Sequence, residues 1–251
     1  MESNIRLIMS KEETQLPSLE VCLSPALLHL HEVKGSIVVI IDVLRATSTI
    51  CTALYNGADR VIPVATVPDC IRIGAELGAI TAGERDGRVA EGLEHGNSPF
   101  EYSREFIGGK TLVLTTTNGT KLLHMAKEAE QIITGSFPNL SAVCDYLIAQ
   151  KRPVILGCAA WKDKVNLEDT LFAGAVISRI SAHFAINDDA ALAAEMLYSS
   201  NKDNIQEMMT QASHYKRLAK FGLQKDIQYC LTPDGANVLP IYQNGELVIA
   251  K

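Results

Sequence analysis

The sequence predicts an α/β protein, layered α/β/α around a mostly parallel, mixed sheet, and three observations predict it. Residues 36–43 (SIVVIIDV), 110–115 (KTLVLT) and 153–158 (PVILGC) are apolar runs with no polar face, as parallel strands covered by helices are. Each run leads through a polar turn into a stretch of helical composition, at 46–55, 120–129 and 167–181. Short strand-like runs at 60–64 and 131–134 follow the first two helices. Strands alternating with helices make crossover units and hence a parallel sheet.

Two of these units align with each other. Residues 41–67 lie on 112–138 without gaps, Thr49 falling on Thr120 at an offset of 71 residues. Ala58 then falls on Ala129, Asp59 on Glu130, and Val61-Ile62 on Ile132-Ile133. The match suggests an internal repeat, two similar lobes, and equivalent strand ends at 42–45 and 115–118. Farther on, residues 178–200 read as helix, interrupted at 187–189 by an Asn/Asp cap. A second helix is expected over 204–221, ending at Gly222. Residues 232–236 read as a turn, and 238–242 and 247–250 as short closing strands around Asn244-Gly245. No linker rich in Pro, Gly or Ser separates autonomous halves, so residues 1–251 read as one compact domain with two lobes.

Composition narrows the function. A chain of 251 residues, 47% hydrophobic and 21% charged, has the proportions of a globular protein, which excludes disorder, collagen and coiled coil. No apolar run approaches the roughly 18 residues of a membrane span. Residues 1–11 contain acids and no apolar stretch before a cleavage site, so the expectation is a cytoplasmic protein without a signal peptide. The net charge of −6 argues against nucleic acid and anionic membranes as partners. Six scattered cysteines without a Cys-x-x-Cys pair read as reduced, buried thiols rather than a zinc cage or disulfide framework.

In parallel sheets ligands bind beyond the carboxyl ends of the strands, so chemistry is sought there. Asp42 ends an apolar strand, Arg45 follows, and Thr47, Ser48 and Thr49 open the helix. Free N–H groups and hydroxyls at a helix start favour anions, and Asp42 beside them suits a metal. A cap or Asx turn is the plain alternative for Asp42. Thr115–Thr120 (TTTNGT) offers hydroxyls and N–H groups to phosphate-like oxygens, or else a turn and a helix cap. It lacks the Gly-Lys-Thr of a Walker loop. Glu84-Arg85, Asn97-Ser98 and Glu168-Asp169 stand at further strand or helix ends. Cys158 lacks the Arg at 164 that a phosphate cradle of the Cys-x5-Arg type needs, since Lys164 is there. Trp161, the single tryptophan, either shapes a pocket or caps the core.

Taken together, these blocks resemble the 2-phosphosulfolactate phosphatase family. The resemblance rests on residues 39–49 (VIIDVLRATST), Gly83-Glu84-Arg85, Gly96-Asn97-Ser98-Pro99, residues 110–120 (KTLVLTTTNGT), Gly135-Ser136-Phe137 and Leu167-Glu168-Asp169, and extends from about Leu19 to the C-terminus. It implies an α/β fold and a Mg²⁺-dependent phosphatase that hydrolyses 2-phospho-3-sulfolactate to sulfolactate and phosphate, a step in coenzyme M synthesis. The chain departs from the family pattern at Ala160, where glycine usually follows Cys-Ala, and at His95. Under this resemblance Asp42, Glu84 and Asp169 are expected to coordinate Mg²⁺, with Glu168 a ligand or base. Arg45 and Arg85 would clamp anionic groups. Thr47, Ser48, Asn97, Ser98, Thr116, Thr117, Asn118 and Gly119 would bind the remaining oxygens.

Direct attack of water on phosphorus is the expected chemistry, with Asp42, Arg45 and Glu168 as the catalytic set. A phospho-aspartyl intermediate on Asp42 is the rival, but the Asp-x-Asp pair of such enzymes is absent because position 44 is Leu. Two other classes use the same anion-binding residues: a Mg²⁺-dependent lyase or isomerase, and a non-catalytic sensor of anionic metabolites. The expected partner is a small anionic phospho-acid, and a homodimer is the default for an enzyme of this size.

Overall fold

Ten strands form one mixed sheet in the computed structural model, which describes residues 16–85, 88–116 and 118–250. In chain order the elements are β1 (Leu19–Cys22), β2 (Ile37–Ile41), α1 (Ala46–Tyr55), β3 (Arg60–Val64), α2 (Val67–Leu77), β4 (Ile80–Arg85), β5 (Arg88–Val89), α3 (Arg104–Ile107) and β6 (Thr111–Thr115). There follow α4 (Gly119–Met125), β7 (Gln131–Gly135), α5 (Leu140–Gln150), β8 (Val154–Cys158), α6 (Leu167–Ile180) and α7 (Asp189–Asn201). The chain ends with α8 (Ile205–Met209), α9 (Ser213–Ala219), α10 (Gln224–Cys230), β9 (Pro240–Gln243) and β10 (Glu246–Ile249). The reading of residues 1–11 and the expected role of Thr117 lie outside the described residues. Among the described residues no helix is long and apolar enough to cross a membrane.

The strand order is β1-β8-β2-β7-β9-β10-β3-β6-β4-β5. One parallel group, β1, β8, β2 and β7, is joined to another, β3, β6 and β4, by the β9–β10 hairpin. The hairpin turns through Asn244 (φ 53°) and Gly245 (φ 91°), the left-handed pair that an Asn-Gly turn supplies. The units aligned above take matching places: β2 pairs with β7 and β3 with β6, one pair on each side of the hairpin. Three successive antiparallel pairings, β7·β9, β9·β10 and β10·β3, reverse the direction of one group relative to the other.

Alternation along each strand explains the layers. Val39 and Ile41 face a core built with Phe172 and Val176 of α6, while Val38 and Ile40 face Leu122 and Leu123 of α4. All five residues of β2 are buried, and each such aliphatic side chain contributes roughly 1.5–3 kcal/mol. In the other group Leu112 and Leu114 pack on Ile50 and Leu54 of α1, and Val113 packs on Cys70 of α2. Helices α6 and α7 approach so closely that a Cβ on Gly174 would lie 2.0 Å from the Ala194 carbonyl oxygen.

The C-terminal third departs from the expected helices. Helix α6 ends at Ile180, and after one 3-10 turn Ala185 runs extended, exchanging backbone bonds with Leu19 (3.0 Å) and Pro17 (2.9 Å). The pairing covers β1, the edge strand, with a segment whose alanine content reads as helix. Asp188 then caps α7 through Ala190 N–H (3.0 Å) and also accepts from Val21 N–H (2.8 Å). Residues 204–221 divide into α8 and α9, because Ala212 is extended (φ −63°, ψ 140°) between them. That break carries His214 inward, where it is buried. The six cysteines are free and buried, as the sequence suggests.

Candidate active site

The carboxyl ends of β2 and β6 stand with four strands between them in the sheet, yet their loops meet. Gly119 N–H, at the first turn of α4, donates to Asp42 Oδ2 at 3.0 Å. A cleft of about 60 Å³ opens beside this junction. Asp42, Arg45, Glu84, Asn97, Thr116 and Asn118 line it, so residues named from separate sequence motifs converge there. His214, Arg217, Trp161 and Lys162 line it too.

The hydroxyl run after β2 builds the turn. Asp42 N–H donates to Thr47 Oγ1 (3.2 Å), Ser48 Oγ donates to the Val43 carbonyl (2.8 Å), and Thr49 Oγ1 to the Asn97 carbonyl (3.1 Å). Thr47 and Ser48, expected to hold anionic oxygens, are therefore buried side chains closing the β2–α1 turn outside the cleft wall. Arg85 likewise spends its guanidinium on the Glu84 carbonyl (2.7 Å) and Thr115 Oγ1 (3.1 Å). Ser98 opens the 3-10 turn Pro99–Glu101, its N–H bonded to Glu101 Oε1 at 3.3 Å. Thr116 Oγ1 shares a bond with Thr120 Oγ1 (3.0 Å) and accepts from Thr120 N–H (3.3 Å).

Asp169 differs most from expectation. The sequence reading sets it beside Asp42 and Glu84 as a third metal ligand, but its carboxylate sits behind the cleft wall with both oxygens engaged. Oδ1 accepts from Val43 N–H (2.9 Å), and Oδ2 from Ala160 N–H (3.1 Å) and Asn166 Nδ2 (2.9 Å). It ties the end of β2 to the end of β8. Glu168, one residue before, is fully buried and accepts from Asn166 Nδ2 (3.1 Å) and pairs with His214 Nδ1 through the same Oε1. Nothing in the local sequence pairs residue 168 with residue 214; only the fold of α9 against α6 does.

The acids raise one another's proton affinity. Burial pushes the Asp42 carboxyl up to about 6. His214 and the Gly119 N–H oppose that rise, whereas Glu84 and Glu168 add to it. Burial, then Glu168 and Asp42, holds Asp169 well above the usual carboxylate range. Arg45 offsets none of this for free, because its Nη1 donates to Asp226 Oδ2 at 2.7 Å in a pair that is nearly closed to solvent. Asp226, on α10, is a site residue that no motif marks. Cys158, buried with its thiol pushed well above the ordinary range by burial and then by Asp169, is no nucleophile.

Among the described residues no three His, Cys, Asp or Glu side chains form a ready metal cage. Mg²⁺ does not need one, since it keeps several waters and uses one or two carboxylates plus substrate phosphate. Asp42 and Glu84 supply the carboxylates on the cleft. Asn97 Oδ1 and Glu168 Oε2 are buried oxygens without a hydrogen-bond partner, the polar demand that a cation or its waters would satisfy. The donor set fits Mg²⁺.

Trp161 sits in a tight loop in which Ala160 (φ 59°), Lys162 (φ 52°) and Asp163 (φ 61°) all adopt left-handed backbone. Glycine, usual in the resembled family at position 160, takes that conformation without a Cβ clash, and alanine does not. Trp161 N–H bonds the Lys164 carbonyl (2.9 Å), Lys164 N–H bonds the Trp161 carbonyl (3.0 Å), and Asp163 pairs with Lys121 (2.7 Å). The loop thus holds the indole against Arg217, whose Cζ lies 4.1 Å from the ring centroid, and under Lys162 Nζ at 4.7 Å.

Comparison with known proteins finds relatives over most of the chain. Residues 22–245 match the family model described as 2-phosphosulpholactate phosphatase. A probable 2-phosphosulfolactate phosphatase of Thermotoga petrophila is 45% identical over 213 residues, covering 84% of this chain and 91% of the relative. Its counterparts in Caldanaerobacter subterraneus subsp. tengcongensis and Clostridium acetobutylicum are each 38% identical, over 85% and 86% of this chain and 90% and 94% of the relatives.

Proposed function

The chain belongs to the 2-phosphosulpholactate phosphatase family, and on that premise we propose that it hydrolyses 2-phospho-3-sulfolactate to sulfolactate and inorganic phosphate with the help of Mg²⁺. The observation that carries the reading is the junction of the Asp42–Arg45 loop with the Thr116–Gly119 loop at one acid-lined cleft. Asp42 and Glu84 would hold the ion, with Asn97 Oδ1 as a neutral donor. When bound, Mg²⁺ would neutralise phosphoryl charge and make water a better nucleophile.

The chain's own residues do the rest. Arg45, held by Asp226, turns its remaining donors toward the phosphoryl oxygens. Glu168 Oε1 engages His214 Nδ1, which leaves Nε2 on the cleft side of the ring. Water bonds to phosphorus in line as the bond to the C2 oxygen breaks; His214 gives its Nε2 proton to that leaving oxygen, and one proton of the attacking water returns to Nε2, so that alcohol and hydrogen phosphate leave. Asp169 is a positioning residue that sets the two strand ends rather than a ligand. Leu44 stands where a phospho-aspartyl enzyme has its second Asp, so direct water attack is the preferred route.

The test is phosphate release from racemic 2-phosphosulfolactate, with and without Mg²⁺, beside 2-phospholactate and the phosphoglycerates. Mg²⁺-dependent release that prefers the sulfonate is expected. No release from any of them by folded, Mg²⁺-saturated protein would overturn the phosphatase reading in favour of a lyase or a sensor.

A further inference from the structure

We infer that Glu101 is a positioning residue that holds Asn97 at the cleft; the inference rests on the reading of Asn97 Oδ1 as a donor to the cation. Asn97 shares the cleft wall with Asp42 and Glu84. It is 4% exposed, and its Oδ1 is buried without a hydrogen-bond partner. A buried amide oxygen left unpaired is unfavourable, so the surrounding chain must hold it there. No helix or strand does so, because residues 96–98 lie between β5 and α3 outside any regular element.

Glu101 supplies the hold. Its Oε2 accepts from Gly96 N–H at 2.9 Å and its Oε1 from Ser98 N–H at 3.3 Å, so one carboxylate bridges the residues on both sides of Asn97. A capping box over the 3-10 turn Pro99–Glu101 needs only the second of these bonds. The first reaches past the cap, and only glycine leaves room for it: a Cβ on Gly96 would lie 2.8 Å from Glu101 Oε1. The carbonyls of the same segment are taken as well. Tyr102 Oη donates to the Gly96 carbonyl at 2.6 Å, and Thr49 Oγ1, on α1, to the Asn97 carbonyl. Backbone bonds from His95 N–H to the Thr81 carbonyl (3.2 Å) and from Gly83 N–H to the His95 carbonyl (3.1 Å) tie the segment to β4, which carries Glu84. Asn97 and Glu84 thus reach the cleft from one braced unit, with Glu101 as its clasp.

The alternative is a role in stability alone, and a metal-binding readout separates the two. Mn²⁺, which takes the same oxygen ligands as Mg²⁺, is the probe. Its free concentration is followed by electron paramagnetic resonance in protein without substrate. Glu101→Ala is expected to weaken Mn²⁺ binding roughly 10-fold, as loss of a residue that orients a ligand does. Glu101→Gln, which retains one acceptor, should cost about threefold. The Mg²⁺ concentration for half-maximal phosphate release from 2-phosphosulfolactate should rise by the same factors. Glu101→Ala in an Asn97→Ala background should add less than about twofold, because the effect runs through Asn97.

A Glu101→Ala protein that melts earlier but binds Mn²⁺ as the wild type does would overturn the inference and leave Glu101 a cap. So would losses that multiply in the double variant, Mn²⁺ affinity unchanged in Asn97→Ala, or no Mn²⁺ binding by the wild type. If Glu101→Ala does not fold, Glu101→Gln, alone and on Asn97→Ala, carries the same comparison. If the wild type binds Mn²⁺ but releases no phosphate, the phosphatase reading falls, and the Mn²⁺ cycle still decides for or against Glu101.

Discussion

Gly119 N–H lies 3.0 Å from Asp42 Oδ2, and a Cβ built on Gly119 would lie 2.9 Å from that same oxygen. The N–H belongs to the first turn of α4, where no intrahelical acceptor exists. Asp42 therefore satisfies it, and in return the helix fixes one carboxylate oxygen. Only glycine leaves room for that approach. Gly119→Ala is expected to keep the fold, by far-UV circular dichroism, while lowering kcat roughly 10- to 100-fold by displacing Asp42. Wild-type turnover in this variant would show that the contact does not position the reacting group.

Asp42 is also expected to cost stability. Its carboxyl is pushed from 3.8 up to about 6 by burial, so the folded state holds the proton more tightly than the unfolded one. The resulting penalty is absent below about pH 4, grows as the pH rises, and is complete above about 6. Asp42→Asn keeps the acceptor for Gly119 and removes the charge. In chelator-treated protein at pH 7.5 it should raise Tm by several degrees, for about 3 kcal/mol, and abolish phosphate release. Thermal melts at pH 4 and 7.5 check the sign: the gain should vanish at the lower pH.

Much of this architecture was legible in local patterns. Helix α1 and strand β3 fall where periodicity and β-branched runs set them, because both faces of a buried parallel strand and its helix leave a continuous apolar trace. The cleft residues Asp42, Arg45, Glu84, Thr116 and Asn118 stand at or just past strand ends and Asn97 in the polar segment before α3, where polar residues interrupt such traces. His214, Arg217 and Asp226 escaped because α9 and α10 are short helices with ordinary amphipathic composition, and each makes its partner across long sequence separations: 46 residues for Glu168–His214 and 181 for Arg45–Asp226. The converse holds for Thr47, Ser48 and Arg85, which bond within the chain. A hydroxyl or guanidinium near a site looks the same in sequence whether it faces ligand or binds its own backbone.

The Arg45–Asp226 pair, at 2.7 Å with 4% and 9% of the two side chains exposed, makes removal of one partner costly. Asp226→Asn leaves a buried guanidinium uncompensated, with Nε already lacking a partner, and is expected to cost about 3–5 kcal/mol. The pair itself is not expected to be worth that much, since a buried ion pair replaced by apolar residues is often neutral. Arg45→Met combined with Asp226→Leu should therefore regain most of the lost stability in urea melts. It should regain none of the activity if Arg45 holds the phosphoryl group. A double variant as unstable as Asp226→Asn would mean that the pair stabilises the fold outright.

The buried thiols set the alkaline limit of the fold. Burial pushes Cys22 up to about 11 and Cys51, Cys144 and Cys230 up to about 12, from 9.0. As the pH passes 9, the unfolded chain loses these protons and the folded chain keeps them, so stability falls with rising pH. At pH 10 the loss is about 1.4 kcal/mol for each thiol that stays protonated in the folded state. Urea midpoints should accordingly drop between pH 8.5 and 10, and serine at Cys144 should lessen the slope of that drop. At pH 8 the folded protein should react with an aromatic disulfide reagent only after denaturant is added, because a thiolate must form at the surface before it can attack. Rapid labelling of the native protein at pH 8 would refute the burial of the thiols and the alkaline limit together.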